Sequence, residues 1–311
     1  MKSCDPAASA GRRSWDEHDL PEPAGCRLLV AGSVRDGARW LQGEVQRLAR
    51  ALRAFQKTHW LIVESDSDDA TIARLRELEA TMENFRFISL GRLRDKIHQR
   101  TERLAFCRNV YLDQIRNGSR YQSIELVMVA DLDGTNSLIS EDAILSCWRR
   151  DDWDVCTANQ LAPCYDVWAL RHPDWSPNDC WDQYRFLLRH NIGAEKARSV
   201  AVHSRMIRID PGADWIEVDS AFGGLAIYRR RALDVGEYVG VDIDGRGICE
   251  HLSLHAALRA RRRRIFINPK LINTSYTEHT AALYMRNRMM RVAKSALRRG
   301  LRGTRRRGAP E

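Results

Sequence analysis

Between residues 26 and 130 the chain alternates two kinds of hydrophobic periodicity, and this alternation constrains the fold more than any other feature. Four short apolar runs, "CRLLVAG", "HWLIVES", "FRFISL" and "IELVMVAD", are separated by segments with helical spacing. In the first of these segments Leu41, Val45, Leu48, Leu52 and Phe55 recur at i, i+4, i+7, i+11 and i+14, one buried face. "ATIARLRELEATM" is also helical, and "RTERLAFCRNVYLDQIR" places Leu104, Cys107, Tyr111 and Ile115 on one side. Strands that alternate with helices predict an α/β fold, with a mainly parallel sheet and helices on both faces. In such sheets ligands bind at the carboxyl ends of the strands. The loops around Gly32, Glu64 to Asp69 and Asp131 to Asp133 then share one rim. No apolar run approaches the roughly 20 residues that a membrane span needs.

Beyond residue 150 the rhythm changes. "DVCTANQ", "YDVWALR", "SAFGGLAIYRR" and "RIFINPKL" read as strands joined by irregular, aromatic-rich loops. This half reads as the substrate side of the same domain. At 311 residues, 44% hydrophobic and 29% charged, the chain has the size and composition to bury a substantial core. Residues 1–24 are polar, with Pro6, Pro21 and Pro23 and no apolar signal region, and are expected to be a disordered leader. The eight cysteines are scattered with no C-x-x-C pair, which points to reduced thiols in the cytoplasm.

"VMVADLDGTN", residues 127–136, carries the chemistry: an apolar strand reaching two aspartates one residue apart, then Gly-Thr. One reading is a haloacid-dehalogenase-type phosphatase, with Asp131 as nucleophile, Lys196 and Asp242/Asp244 completing its set in chain order. That loop should follow the first core strand, yet three strand–helix units precede it here. The other reading is a hard-oxygen site at a strand end, where Asp131 and Asp133 hold Mg²⁺ or Mn²⁺ together with diphosphate oxygens and water. Asp133 is then the more direct ligand, with Asp131 nearer the ribose or a metal-bound water.

Several longer segments carry a resemblance: "RTERLAFCRNVYLD", "VMVADLDG", "DVCTANQLAPCYDVWALRHPDWSPNDCW", "SAFGGLAIYRR" and "CEHLSLHAALRARRRRIFINPKL". Over roughly residues 26–280 the chain resembles GT-A glycosyltransferases. More closely, it resembles a bacterial group related to fungal capsule α-1,3-mannosyltransferases. The resemblance implies a GT-A domain over 25–280, with a nucleotide-binding half at 25–135 and an acceptor-side half at 136–280. It implies a nucleotide-sugar donor whose base and ribose meet Ala31, Gly32, Glu64 and Asp66. Donor phosphate falls to Arg103 and Arg108, near Asn109. Gly223 and Gly224 lie beneath the donor sugar, with Asp219 contacting its hydroxyls. Glu250 is the general base, and His279 completes the metal shell. Transfer of mannose from GDP-mannose in surface polysaccharide assembly is the family-weighted expectation. A non-catalytic nucleotide-sugar-binding protein on the same fold is the further alternative.

Five tryptophans fall between residues 148 and 181, interleaved with polar side chains. Aromatic faces pack against sugar rings, and hydrogen-bonding groups beside them suit a wet groove. Asn159, Gln160, Trp168, Arg171 and Asp179 are therefore expected to bind the acceptor, a glycan or a lipid-linked glycan. The net charge of +9 is concentrated late: "RNRMMRVAKSALRRGLRGTRRRG" carries ten Lys/Arg. Residues 281–311 are read as a basic amphipathic tail suited to an anionic membrane surface. Nucleic acid is ranked low as a partner, because no recognition motif accompanies the charge.

Overall fold

The computed structural model describes residues 20–164 and 166–275. Among the described residues eight strands form one sheet: β1 Arg27–Val34, β2 Lys57–Glu64, β3 Phe85–Ser89, β4 Leu126–Ala130, β5 Val155–Gln160, β6 Ile216–Val218, β7 Leu225–Arg229 and β8 Ile265–Thr274. Their spatial order is β3-β2-β1-β4-β7-β5-β8-β6. β1 pairs in parallel with β2 and β4, β2 with β3, and β5 with β8. β7 runs antiparallel to β4 and β5, and β6 antiparallel to β8. β1 to β5 and β8 therefore point one way, and their carboxyl ends share a rim.

Seven α-helices among the described residues accompany the sheet: α1 Leu41–Ala51, α2 Thr71–Thr81, α3 Arg100–Asn117, α4 Glu141–Leu145, α5 Cys180–Arg189, α6 Ala194–Ala201 and α7 His251–Ala260. Side chains alternate across a strand, so each continuous apolar run feeds two cores. Leu28 and Val30 of β1 pack with Leu41, Val45 and Leu48 of α1 on one face. Leu29 and Ala31 pack on the other, with Tyr111, Leu112 and Ile115 of α3 and Leu254 and Leu258 of α7. Burying each such aliphatic side chain stabilises the fold by about 1.5–3 kcal/mol. The expected α/β sheet with helices on both faces is therefore the observed one.

Two local expectations come out differently. Within "YDVWALR", residues 166–170 form a turn rather than a strand, and Arg171 bridges Ser220. The Asp166 carboxylate is drawn to the turn before β7 instead, where it accepts from the Gly223 amide. Of the expected leader, residues 20–24 belong to the folded body. Leu20 and Pro23 are buried, and the Pro21 carbonyl accepts from the Trp148 indole at 2.9 Å. Residues 1–19, His279 and the tail at 281–311 lie outside the described residues. Among the described residues no helix is long and apolar enough to cross a membrane, and all seven cysteines are free and buried.

Candidate active site

β4 ends at Ala130, so Asp131 is the first residue beyond the parallel ladder, at the centre of the rim. Its side chain leans toward α3, where Arg108 Nη2 donates to Asp131 Oδ1 at 3.1 Å. The same guanidinium donates from Nε to Glu250 Oε1 at 2.9 Å, joining residues 142 apart in the chain. Arg108 is 2% exposed. Its guanidinium carbon lies 5.2 Å from the Phe222 ring centroid and 5.8 Å from that of Tyr238. A buried cation costs several kcal/mol unless it is paired and hydrogen-bonded; these two carboxylates supply that pairing.

The Asp131 side chain keeps 30% exposure. Partial burial pushes its carboxyl up from its ordinary 3.8 to about 7, against the pull of Arg108 and with the help of Asp133, Asp166 and Glu250. Burial likewise raises the Asp166 carboxyl. Two carboxylates thus meet the guanidinium directly, and Asp133 and Asp166 lie close enough to Asp131 to raise its pKa. A surplus of negative charge of this kind favours a divalent cation. Asp133, the second aspartate of the motif, is exposed, and its Oδ1 accepts from Thr135 Oγ1 at 2.9 Å.

The turn before β7 is built against Asp131. Gly223 and Gly224 have φ of +70° and +83°, a left-handed conformation that side-chain-bearing residues avoid. A Cβ on Gly223 would lie 2.7 Å from Gln160 Nε2 and 3.0 Å from the Ala158 carbonyl oxygen. In this conformation the Asp131 amide donates to the Gly224 carbonyl at 2.9 Å, and the Gly223 amide donates to Asp166 Oδ2 at 3.0 Å. The turn therefore fixes Asp166 beside the motif. The sequence offers Asp166 only as one of the polar residues interleaved with the tryptophans on the expected acceptor side; its bond to Gly223 sets it beside the motif instead.

Glu250 sits immediately before α7 and is 4% exposed. The loop that delivers it is tied to α3 by Asn109, whose side chain donates to the Tyr238 carbonyl at 2.8 Å and accepts from its amide at 2.9 Å. Next to it, His251 stacks on Phe222 with ring centroids 3.9 Å apart. Neither nitrogen of His251 has a hydrogen-bond partner, and Nε2 lies 3.7 Å from Glu250 Oε1. Burial, then Arg108 and His255, depress its pKa well below the usual histidine range, so the ring is neutral.

The other expected residues fall into separate places. Ala31 is wholly buried in the core. Gly32 lets β1 approach the end of β4, since a Cβ there would meet the Ala130 carbonyl at 2.7 Å. Glu64 accepts from the Ser67 amide and the Ser89 hydroxyl. Asp66 accepts from the Arg94 amide at 2.8 Å and pairs with Arg103 at 3.2 Å. Both carboxylates are thus engaged within the loop after β2, and Arg108, not Arg103, contacts the motif. Asn159 and Gln160 are buried. The Asn159 amide donates to the Ile209 and Pro269 carbonyls, and the Gln160 amide donates to that of Gly223. Trp168, Arg171 and Asp179 form a cluster of their own, in which the indole and the guanidinium both donate to Asp179 Oδ2, at 3.0 and 2.9 Å. Asp219 pairs with Arg259 at 3.2 Å.

Among the described residues no group of three or more His, Cys, Asp or Glu side chains is arranged to hold a metal ion. Two aspartates separated by Leu132 at the strand rim nevertheless fit Mg²⁺ or Mn²⁺, hard cations commonly held by one or two carboxylates plus substrate phosphates and water. Three solved structures show a loose similarity to this chain. A mannosyltransferase from Pyrobaculum calidifontis, in complex with GDP-Man and Mn²⁺, is 14% identical at a TM-score of 0.45, over 85% of this chain and 60% of that one. S. aureus TarS 1-349 is 12% identical at 0.39, over 78% and 57%. Glucosyl-3-phosphoglycerate synthase from Mycobacterium tuberculosis, in complex with UDP, is 10% identical at 0.40, over 84% and 76%. The chain spans less than two thirds of the length of the first two. No protein-family model and no curated protein matches the chain. Similarities this loose assign it no chemistry.

Proposed function

We propose that this chain is a metal-dependent glycosyltransferase of the GT-A type, moving a sugar from a nucleotide-sugar donor to a glycan or lipid-linked acceptor. The observation that carries the reading is the Asp131/Asp133 pair at the carboxyl end of a central parallel strand, set between a glycine turn and the buried Arg108–Glu250 pair. A bound Mg²⁺ or Mn²⁺ supplies charge stabilisation to the departing nucleoside diphosphate. Asp133 and Asp131 would hold it, Asp133 from the open side. Arg108 orients Asp131 and balances part of the carboxylate charge. The Gly223–Gly224 turn, without Cβ atoms, lets the donor sugar approach the backbone. Glu250 takes the acceptor proton in this reading, its orientation fixed by Arg108, and Asp166 flanks the same space. GDP-mannose as donor and surface polysaccharide assembly as setting remain the finer parts of the proposal, along with the cytoplasmic face of a membrane as workplace.

The phosphatase reading finds less support. Asp242 and Asp244 lie in an exposed loop, with the Asp242 carboxylate accepting from the amides of Asp244 and Arg246. Lys196 is exposed on α6. A hydrolysis screen over nucleotide sugars, with Mn²⁺ and with chelator, tests the proposal. Metal-dependent release of one nucleoside diphosphate, lost in Asp133→Ala, is the expected result. Stable phosphorylation of Asp131 by a phosphomonoester would overturn it, and tight nucleotide binding without turnover would make the chain a binding protein.

A further inference from the structure

Behind the carboxylate rim, on the α1 side of the sheet, lies a fully buried set of polar side chains that no step of the proposed reaction uses. We propose that Asn136, held by Glu44 and Asn273, is the positioning residue that fixes the backbone of Asp131 and of the glycine turn; its consequence for ligand binding rests on the transferase reading. Asn136 is 0% exposed. Its Nδ2 donates to the Asp131 carbonyl at 2.7 Å and to Glu44 Oε2 at 2.9 Å. Its Oδ1 accepts from Asn273 Nδ2 at 3.4 Å. Both amide protons and the carbonyl oxygen are thus engaged, which sets the side chain's orientation.

The partners are as deeply placed. Glu44 is 1% exposed on α1, between the core residues Leu41, Val45 and Leu48. Among the described residues its carboxylate also accepts from Arg47, at 3.0 Å. A leucine would satisfy packing at that position without the cost of desolvating a carboxylate. What Glu44 adds is an acceptor aimed at Asn136. Asn273, 0% exposed at the end of β8, donates to the Gly223 carbonyl at 2.8 Å, and its own carbonyl accepts from the Leu138 amide at 2.8 Å.

These bonds close a ring around the site. Asp131 is held at its amide by Gly224 and at its carbonyl by Asn136; Gly223 is held at its carbonyl by Asn273 and at its amide by Asp166. The clamp therefore sets where the Asp131 and Asp166 carboxylates stand relative to each other. A fully satisfied buried network rigidifies what it holds. Groups that orient metal-holding side chains typically change metal affinity about 10–100-fold when removed.

The experiment has two arms. Amide hydrogen exchange compares wild type with Asn136→Ala. Exchange at Asp131 and Leu138 should rise at least about tenfold, while the β4 amides of Val127 to Val129 stay protected. Titration of GDP and UDP in Mn²⁺ should show Asn136→Ala and Glu44→Ala weakened about 10–100-fold. Glu44→Gln keeps an oxygen acceptor for Asn136, and Arg47 can turn to solvent, so it should bind within about threefold of wild type. Unchanged exchange in Asn136→Ala overturns the clamp, as does Glu44→Gln failing as badly as Glu44→Ala. If the wild type binds neither nucleotide, the transferase reading falls, and the exchange arm still decides the clamp.

Discussion

Replacing Asp131 by asparagine should stabilise the cation-free protein, and the reason is the charge count at Arg108. One buried guanidinium faces two carboxylates directly, Asp131 and Glu250, with Asp166 and Asp133 close enough to raise the Asp131 pKa. Asparagine keeps an oxygen for Arg108 Nη2 and leaves the Arg108–Glu250 pair neutral. A carboxyl moved from 3.8 to about 7 has a folded-state pKa above its unfolded one. Its contribution to stability is present in full below the unfolded value and is lost as pH rises through the folded one. A shift of this size corresponds to at most about 4 kcal/mol. With 30% of the side chain exposed, solvent screening leaves an expected cost on the order of 1–2 kcal/mol. At about 2–4 °C per kcal/mol for a domain of this size, Asp131→Asn should melt a few degrees above wild type at pH 8 in chelator. The advantage should shrink toward pH 5, where the wild-type carboxyl is protonated. Adding Mn²⁺ and a nucleoside diphosphate should reverse the order, because only the wild type retains the carboxylate. Equal melting at pH 8, or a variant less stable at both pH values, would refute the charge account.

Three other outcomes follow from named contacts. Glu250→Gln should lower kcat by about 10²–10⁴-fold with donor affinity changed only a few-fold, as a group acting on the acceptor proton requires; parallel loss of donor affinity, read by titration, would make it a binding residue. Gly223→Ala places a Cβ 2.7 Å from Gln160 Nε2 at a φ of +70°, and should cost about 1–3 kcal/mol, visible as a lower urea midpoint. An unshifted midpoint would show that the turn relaxes freely. Deleting residues 283–311 should abolish salt-sensitive sedimentation with anionic liposomes if the basic tail docks to membrane; equal sedimentation of the shortened chain would locate the anchor elsewhere.

How much of this was legible in the sequence depends on whether the determining contacts were local. The apolar face of α1 and the runs that become β1 to β4 are written in spacings of two to four residues, and those elements form where expected. Asp131 was legible for the same reason: it ends an apolar run, and a strand end is a rim. The antiparallel direction of β7 was not, because a strand of five residues carries no mark of its direction. The turn at 166–170 was missed because its apolar content imitates a strand, while Asp166 is held by Gly223, 57 residues on. The Arg108–Glu250 pair spans 142 residues and the Glu44–Asn136 contact 92. Local pattern cannot announce contacts at such separations. Glu64 and Asp66 were read from their place at a strand end, which the structure bears out as a place. Which partners engage their carboxylates depends on Ser67, Ser89, Arg94 and Arg103 folding back over the loop.

The central claim is that Asp131 and Asp133 present a cation to a nucleoside diphosphate. The most direct measurement is calorimetric titration of GDP and of UDP into the wild-type chain, in Mn²⁺ and again in chelator, with Asp133→Ala alongside. The account predicts saturable binding of at least one nucleotide in Mn²⁺, weakened tenfold or more by chelator and by Asp133→Ala. Binding of equal strength with and without the metal, or no binding of either nucleotide, would contradict it.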